Sequence, residues 1–151
     1  MAEPGGPTGR ARDIKDAAQV RELIDGVASR RAAERLDPHV LRRLRITVDA
    51  LADAVERGDR DQIIRTDRVI HRLIYGAAGV PGQVLEPAST VMRERTRETM
   101  ALRQHADRVL EELRQLVSAL EEHDPAAAEH WSVAHVRGAA RAALEVRKPP
   151  S

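Results

Sequence analysis

Three residues interrupt apolar series that would otherwise read as core. Ile63, Ile64, Ile70 and Ile74 recur at helical spacing, and Asp67 and His71 fall inside the same stripe, four residues apart. In a helix that separation puts both side chains on one side, one turn from each other. A second series, Ala128, Trp131, Gly138 and Ala142, encloses His135 in the same way. A carboxylate taken out of water is costly unless it is paired, hydrogen-bonded or bound to a metal. Two readings of the trio follow. In one, Asp67 and His71, or Asp67 and a nearby arginine, form a satisfied internal hydrogen bond. In the other, the three side chains line a pocket between helices. There an Asp and a His at i and i+4 can ligate one metal, with His135 as a third ligand from a facing helix. Without a metal the same groups make an acid–base cluster, with His71 as general base, Asp67 orienting it and His135 as acid or second base. Such a cluster suits isomerisation, elimination or cyclisation. The other histidines, His39, His105, His123 and His130, fall near helix ends or on polar faces and are expected at the surface.

The elements that must position these groups all read as helices. Residues 1–12 are rich in Gly and Pro and predict a tail, and 148–151 a second short tail. Between them, 13–147 reads as one domain. Ile14, Ala17, Leu23, Ile24, Val27 and Ala28 give a first helix, from about Asp13 to Arg35, an apolar face. Asp37-Pro38 is a cap followed by proline at the first helical position, and Val40, Leu41, Leu44, Val48, Leu51 and Val55 form the stripe that follows. Gly58 ends that helix and Asp59 caps the third, which carries Asp67 and His71. The run 76–82 breaks it. A fourth helix is expected from about Gln83 to Arg103, bent or truly begun at Pro87. A fifth, about Ala106 to Glu122, carries Val109, Leu110, Leu113, Leu116, Val117 and Leu120. Asp124-Pro125 starts a sixth, running to about Val146. No segment sustains the alternation of a strand, and the short links imply an antiparallel bundle. Gly58-Asp59 leading to His71 is echoed by His123-Asp124 leading to His135; chance similarity of Ala-rich helices explains this as well as duplication does.

Composition narrows the function. The chain has 151 residues, enough for a core without staples, and no Cys, which removes disulfides and thiolate sites. Lys+Arg number 25 against 24 Asp+Glu, so the basic excess of a nucleic-acid binder is missing. With one Trp, one Tyr and no Phe, a base-stacking platform is excluded. No apolar run approaches the roughly 18 residues of a membrane span, and no signal-peptide core is present. A cytoplasmic location is the expectation.

The residues from Gly58-Asp59 through Thr66-Asp67-Arg68-Val69-Ile70-His71-Arg72-Leu73 to Ala77-Ala78-Gly79 resemble the FCD domain. That domain is the effector-binding part of FadR-type GntR transcription regulators. The final hairpin resembles it as well, from Glu111-Glu112-Leu113-Arg114 through Leu120, Asp124 and Ala128 to His135. Val20-Arg21-Glu22-Leu23 looks like the family's opening helix. The resemblance spans about Asp13 to Val146. It implies an all-α antiparallel bundle of about six helices around a central ligand pocket, commonly dimeric. It also implies one divalent metal (Zn, Ni, Mn or Fe) on one Asp and three His, with small carboxylates bound against it; members without the metal take acyl-type ligands. By position Asp67 and His71 match the first two ligands and His135 the last, but the third falls on Leu113, a departure from the metal-binding pattern. Val80 stands where the family has Asn. An anionic guest would meet Arg21, or Arg93, Arg95 and Arg97 on the fourth helix, because guanidinium grips carboxylates bidentately. Met92, Thr96, Thr99 and Met100 mark another face of that helix. The family's winged helix-turn-helix needs roughly 60–70 residues as a small domain, and only about 12 precede the first expected helix. The chain is therefore expected not to bind DNA by itself. A sensor domain of a regulator and a free-standing FCD-like enzyme both stay open, with a purely structural dimerisation module as a third, weaker reading.

Overall fold

The computed structural model describes residues 7–84, 96 and 98–146, and the side chains of all of these except 7–10 and 82. The described residues form α1 (Pro7–Arg35), α2 (Pro38–Arg57), α3 (Arg60–Ala78), a 3-10 turn (Gly82–Val84), α4 (Arg103–Glu121) and α5 (Pro125–Glu145), with no strand among them. The fold is the all-α bundle expected. α1 begins at Pro7, earlier than Asp13, and α4 begins at Arg103 rather than Ala106. Most of the fourth helix expected over 83–103, including Pro87, Met92, Arg93, Arg95 and Arg97, lies outside the described residues.

Local chemistry sets the helix ends. Asp37 Oδ1 accepts from Val40 N at 2.9 Å, Asp59 Oδ1 from Gln62 N at 3.1 Å and Asp124 Oδ1 from Ala127 N at 3.1 Å. Each bond satisfies one of the orphan amides of a first helical turn. Gly58 and Gly79 close α2 and α3 with φ of 66° and 70°, left-handed values that a residue without Cβ adopts freely.

α1 lies antiparallel to α5. Ion pairs tie Arg30 to Glu129 at 2.7 Å and Arg137 to Glu22 at 3.0 Å. His123 Nδ1 lies 2.9 Å from the Ala33 carbonyl. The main core is built by Leu44, Leu51, Ile63, Ile70, Ile74, Leu113, Leu116 and Leu120, all 2% exposed or less. A smaller cluster of Ile14, Ala17, Ala18, Val136, Ala140 and Ala143 joins the early part of α1 to the late part of α5.

The face expected for α1 needs correction. Leu23 is 73% exposed and Val27 48%; with Val20 they form an outward stripe. The inward face keeps Ile14, Ala17 and Ala28, as expected, and adds Ala18, Asp25, Ser29, Ala32 and Ala33. Small side chains let α1 lie close to its neighbours, so packing chose the alanine face over the face with the larger apolar residues.

Candidate functional site

Asp67 and His71 are carried by α3, whose isoleucines anchor it in the main core. Ile63 and Ile74 are each 2% exposed and Ile70 fully buried. Thr66 returns its hydroxyl to the Gln62 carbonyl at 2.8 Å, so this turn presents one carboxylate and one imidazole to the neighbouring helices. His135 comes from the middle of α5, 5% exposed, between Ser132 and Gly138.

The three side chains converge. His71 Nε2 lies 3.1 Å from Asp67 Oδ1 and 3.2 Å from His135 Nε2, and His135 Nε2 lies 3.6 Å from Asp67 Oδ1. The two imidazoles stack with centroids 5.1 Å apart. Behind His135, its Nδ1 faces Glu112 Oε1 of α4 at 3.5 Å. A Cβ on Gly138 would come 3.2 Å from Glu112 Oε2, so the glycine makes the room in which this carboxylate sits.

Charge follows from that geometry. Burial alone would raise the Asp67 carboxyl, but His71, and hydrogen bonds from both histidines, hold it well below the usual carboxylate range. Burial alone would lower His135; Asp67 and Glu112 reverse this and push it up to about 9. Leu113, at the position where the family resemblance implies a third histidine, is fully buried in the apolar core.

A second charged group abuts the trio. Asp25 of α1, 2% exposed, accepts from the Tyr75 hydroxyl and pairs with Arg21 at 3.2 Å. Burial works against the Arg21 charge, but Asp25 above all outweighs it and raises the guanidinium pKa. For Tyr75, burial and Asp25 push the hydroxyl well above its ordinary range. The Tyr75 and His71 rings stack at 6.3 Å, linking the two groups.

Between the trio and Arg21 is a cavity of about 60 Å³. Its walls are Arg21, Asp67, His71, Thr96, Thr99, Met100, His105, Val109, His135, Ala139 and Ala143. One water needs roughly 10–15 Å³ measured in this way, so the space admits a guest of a few heavy atoms. The surface position expected for His105 is corrected: it is 4% exposed and is part of this wall. Burial, and then the neighbouring His135 charge, lower its pKa. His39, His123 and His130 are exposed, as expected. A wider recess of about 520 Å³ lies at the α2–α3 turn near Gly58 and Arg103, away from the trio.

Among the described residues, four buried side-chain atoms have no hydrogen-bond partner: Arg21 Nε, His105 Nδ1, His135 Nδ1 and Glu112 Oε1. His135 Nδ1 and Glu112 Oε1 face each other at 3.5 Å behind the cavity, whereas Arg21 and His105 belong to its wall and their two atoms have no such counterpart. A buried polar group left unmatched costs about 1–3 kcal/mol, so a protein that concentrates them has a use for them.

Sequence reasoning gave no site role to Glu112, Asp25 or Tyr75 and placed His105 at the surface. For Glu112, His105 and Asp25 a signal existed. Glu112 sits in register with Val109 and Leu116, His105 with Val109, and Asp25 with Ala28 and Ala32. These are polar residues on apolar faces, the same cue that singled out Asp67.

The family model described as the FCD domain matches residues 16–138. Among solved structures, a Streptococcus agalactiae GntR protein is similar with a TM-score of 0.65 and 22% identity, over 86% of this chain and 59% of that one. E. coli McbR/YncC is similar with a TM-score of 0.68 and 23% identity, over 83% of this chain and 61% of that one. The chain thus spans about 60% of the length of these structures. No curated protein matches it.

Proposed function

Because the chain belongs to the FCD domain family, we propose that it is an effector-binding domain of GntR regulator type. Its cavity takes a small carboxylate metabolite, and it acts as a homodimer, as the family resemblance implies. The observation that carries this reading is a cavity whose wall includes Arg21 and His105, two residues that each bury a nitrogen without a hydrogen-bond partner. A carboxylate's oxygens would accept from these donors, and the Arg21 charge supplies the electrostatic complement. Family membership favours binding over acid–base catalysis.

The reading includes one divalent ion on Asp67, His71 and His135. Donors about 2.1 Å from a shared ion lie about 3.0–3.4 Å from one another, depending on coordination geometry. The three donor atoms are 3.1, 3.2 and 3.6 Å apart, close to that range. Glu112 stands at the outer nitrogen of His135, where a carboxylate fixes the tautomer that turns Nε2 inward. Two imidazoles and one carboxylate suit Zn, Ni, Mn or Fe, and the apolar Leu113 leaves positions for water or a guest's oxygens. Such an ion would polarise and anchor the bound carboxylate. The protein's part is to orient the donors, exclude bulk water and set a cation at Arg21.

Zinc affinity, measured by chelator competition, tests the site. His71→Ala and His135→Ala should each weaken zinc binding about 100-fold or more. Zinc affinity equal to wild type in both variants would sink the metal reading, and a wild-type protein that takes no small carboxylate would sink the effector reading.

A further inference from the structure

The trio, Arg21 and the cavity leave one group without a task. His105 stands in the first turn of α4, outside the Asp-x3-His pattern, and is 4% exposed. Its Nδ1 is buried with no hydrogen-bond partner. The side chain is part of the same cavity wall as Arg21, His71 and His135. Asp67, His71 and His135 bring their donor atoms within 4.8 Å of one another, and His105 is not part of that group. The residue thus lines the space without joining the converged donors.

A structural role alone accounts for it poorly. A histidine buried for packing ordinarily finds a partner for both ring nitrogens, and an apolar side chain would fill the place without an unmatched polar atom. In its Nδ1-protonated tautomer the ring offers an N–H on the α4 side of a cavity that also carries a guanidinium from α1. An anion with two oxygens needs donors in two directions, and these two groups come from different helices.

We propose that His105 is a ligand-contacting residue of this cavity, donating a hydrogen bond to one oxygen of a bound carboxylate while Arg21 engages the other. The assignment rests on the effector reading given above and adds a specificity determinant to it. Guests that lack a second acceptor oxygen lose this contact. A charged carboxylate is then preferred over its amide, whose NH2 would oppose a donor.

The test uses the full chain with acetate as probe and acetamide as the uncharged analogue of the same shape. Binding is followed by NMR of ¹⁵N-labelled histidine side chains, in EDTA-treated protein and with one equivalent of Zn²⁺. Wild type should bind acetate with a shift of the His105 ring nitrogens and bind acetamide at least tenfold more weakly. His105→Leu, which fills the space without a donor, should weaken acetate at least tenfold. His105→Gln, which restores an N–H, should recover it to within about threefold. If Arg21→Gln weakens acetate and His105→Leu does not, the effector reading stands and the assignment of His105 falls. If wild type binds no acetate, both fall together. If zinc affinity drops in His105→Leu as far as acetate affinity does, His105 serves the ion rather than the guest and the assignment is overturned.

Discussion

α2 and the α1–α5 pair bury their inner faces in opposite ways. The buried residues of α2 are Leu44, Val48, Leu51, Ala54 and Val55, without one polar side chain. α5 buries Ala128, Ser132, His135, Val136, Gly138, Ala140, Ala142 and Ala143, and α1 adds alanines with Asp25 and Ser29. Large branched side chains fill space and give up little of it. Alanine and glycine leave volume, and here that volume holds a cavity, an imidazole and two carboxylates, Asp25 and Glu112. The first region holds the bundle together by hydrophobic burial, and the second accepts desolvation costs to keep polar groups ready for a guest.

The comparison can be broken from either side. Leu51 is fully buried in the apolar region, and Leu51→Ala should remove about 2–5 kcal/mol of stability in denaturant unfolding. The zinc affinity of the folded fraction should stay as it was. A variant that loses zinc before it loses stability would show that the two regions are not separable.

The polar region should reveal itself through pH. His135 titrates near 9 in the folded protein against 6.5 when unperturbed, so the folded state holds its proton more tightly. The stabilisation is complete below about pH 6.5 and is lost as pH rises to about 9. EDTA-treated protein should lose on the order of 2 kcal/mol across that window, visible as a falling Tm. Asp67 acts in the opposite direction and only in acid, because its depressed carboxyl gives stability that disappears as pH falls below the ordinary carboxylate range. The His135→Leu variant should show a flat Tm between pH 6.5 and 9, and a slope that persists there would locate the proton elsewhere.

The smallest effect is expected at Gly138. An added Cβ meets Glu112 Oε2 at 3.2 Å, a crowding that a shift of a few tenths of an ångström relieves. Gly138→Ala gains helix propensity of up to about 1 kcal/mol, which offsets that cost. Stability should hardly change, and zinc affinity should fall a few-fold as Glu112 is displaced from His135. An unchanged affinity would mean that Glu112 does not orient the imidazole.

Much of this molecule was legible before folding. Caps and punctuation are local, so Asp37-Pro38, Gly58-Asp59 and Asp124-Pro125 announce their helix ends in the chain itself. A polar residue inside an apolar stripe is local too, which is why Asp67, His71 and His135 stand out. Three things were decided only by tertiary packing. The inward face of α1 went to alanines because close approach to α5 outweighs burial of Leu23 and Val27. His105 looked like a helix-end surface residue until the Thr99–Met100 segment, α3 and α5 closed around it. Glu112 acquired a role only when Gly138 of another helix left space beside His135. Sequence periodicity shows which side of a helix is apolar. The partner that meets that side is set by contacts between residues far apart in the chain.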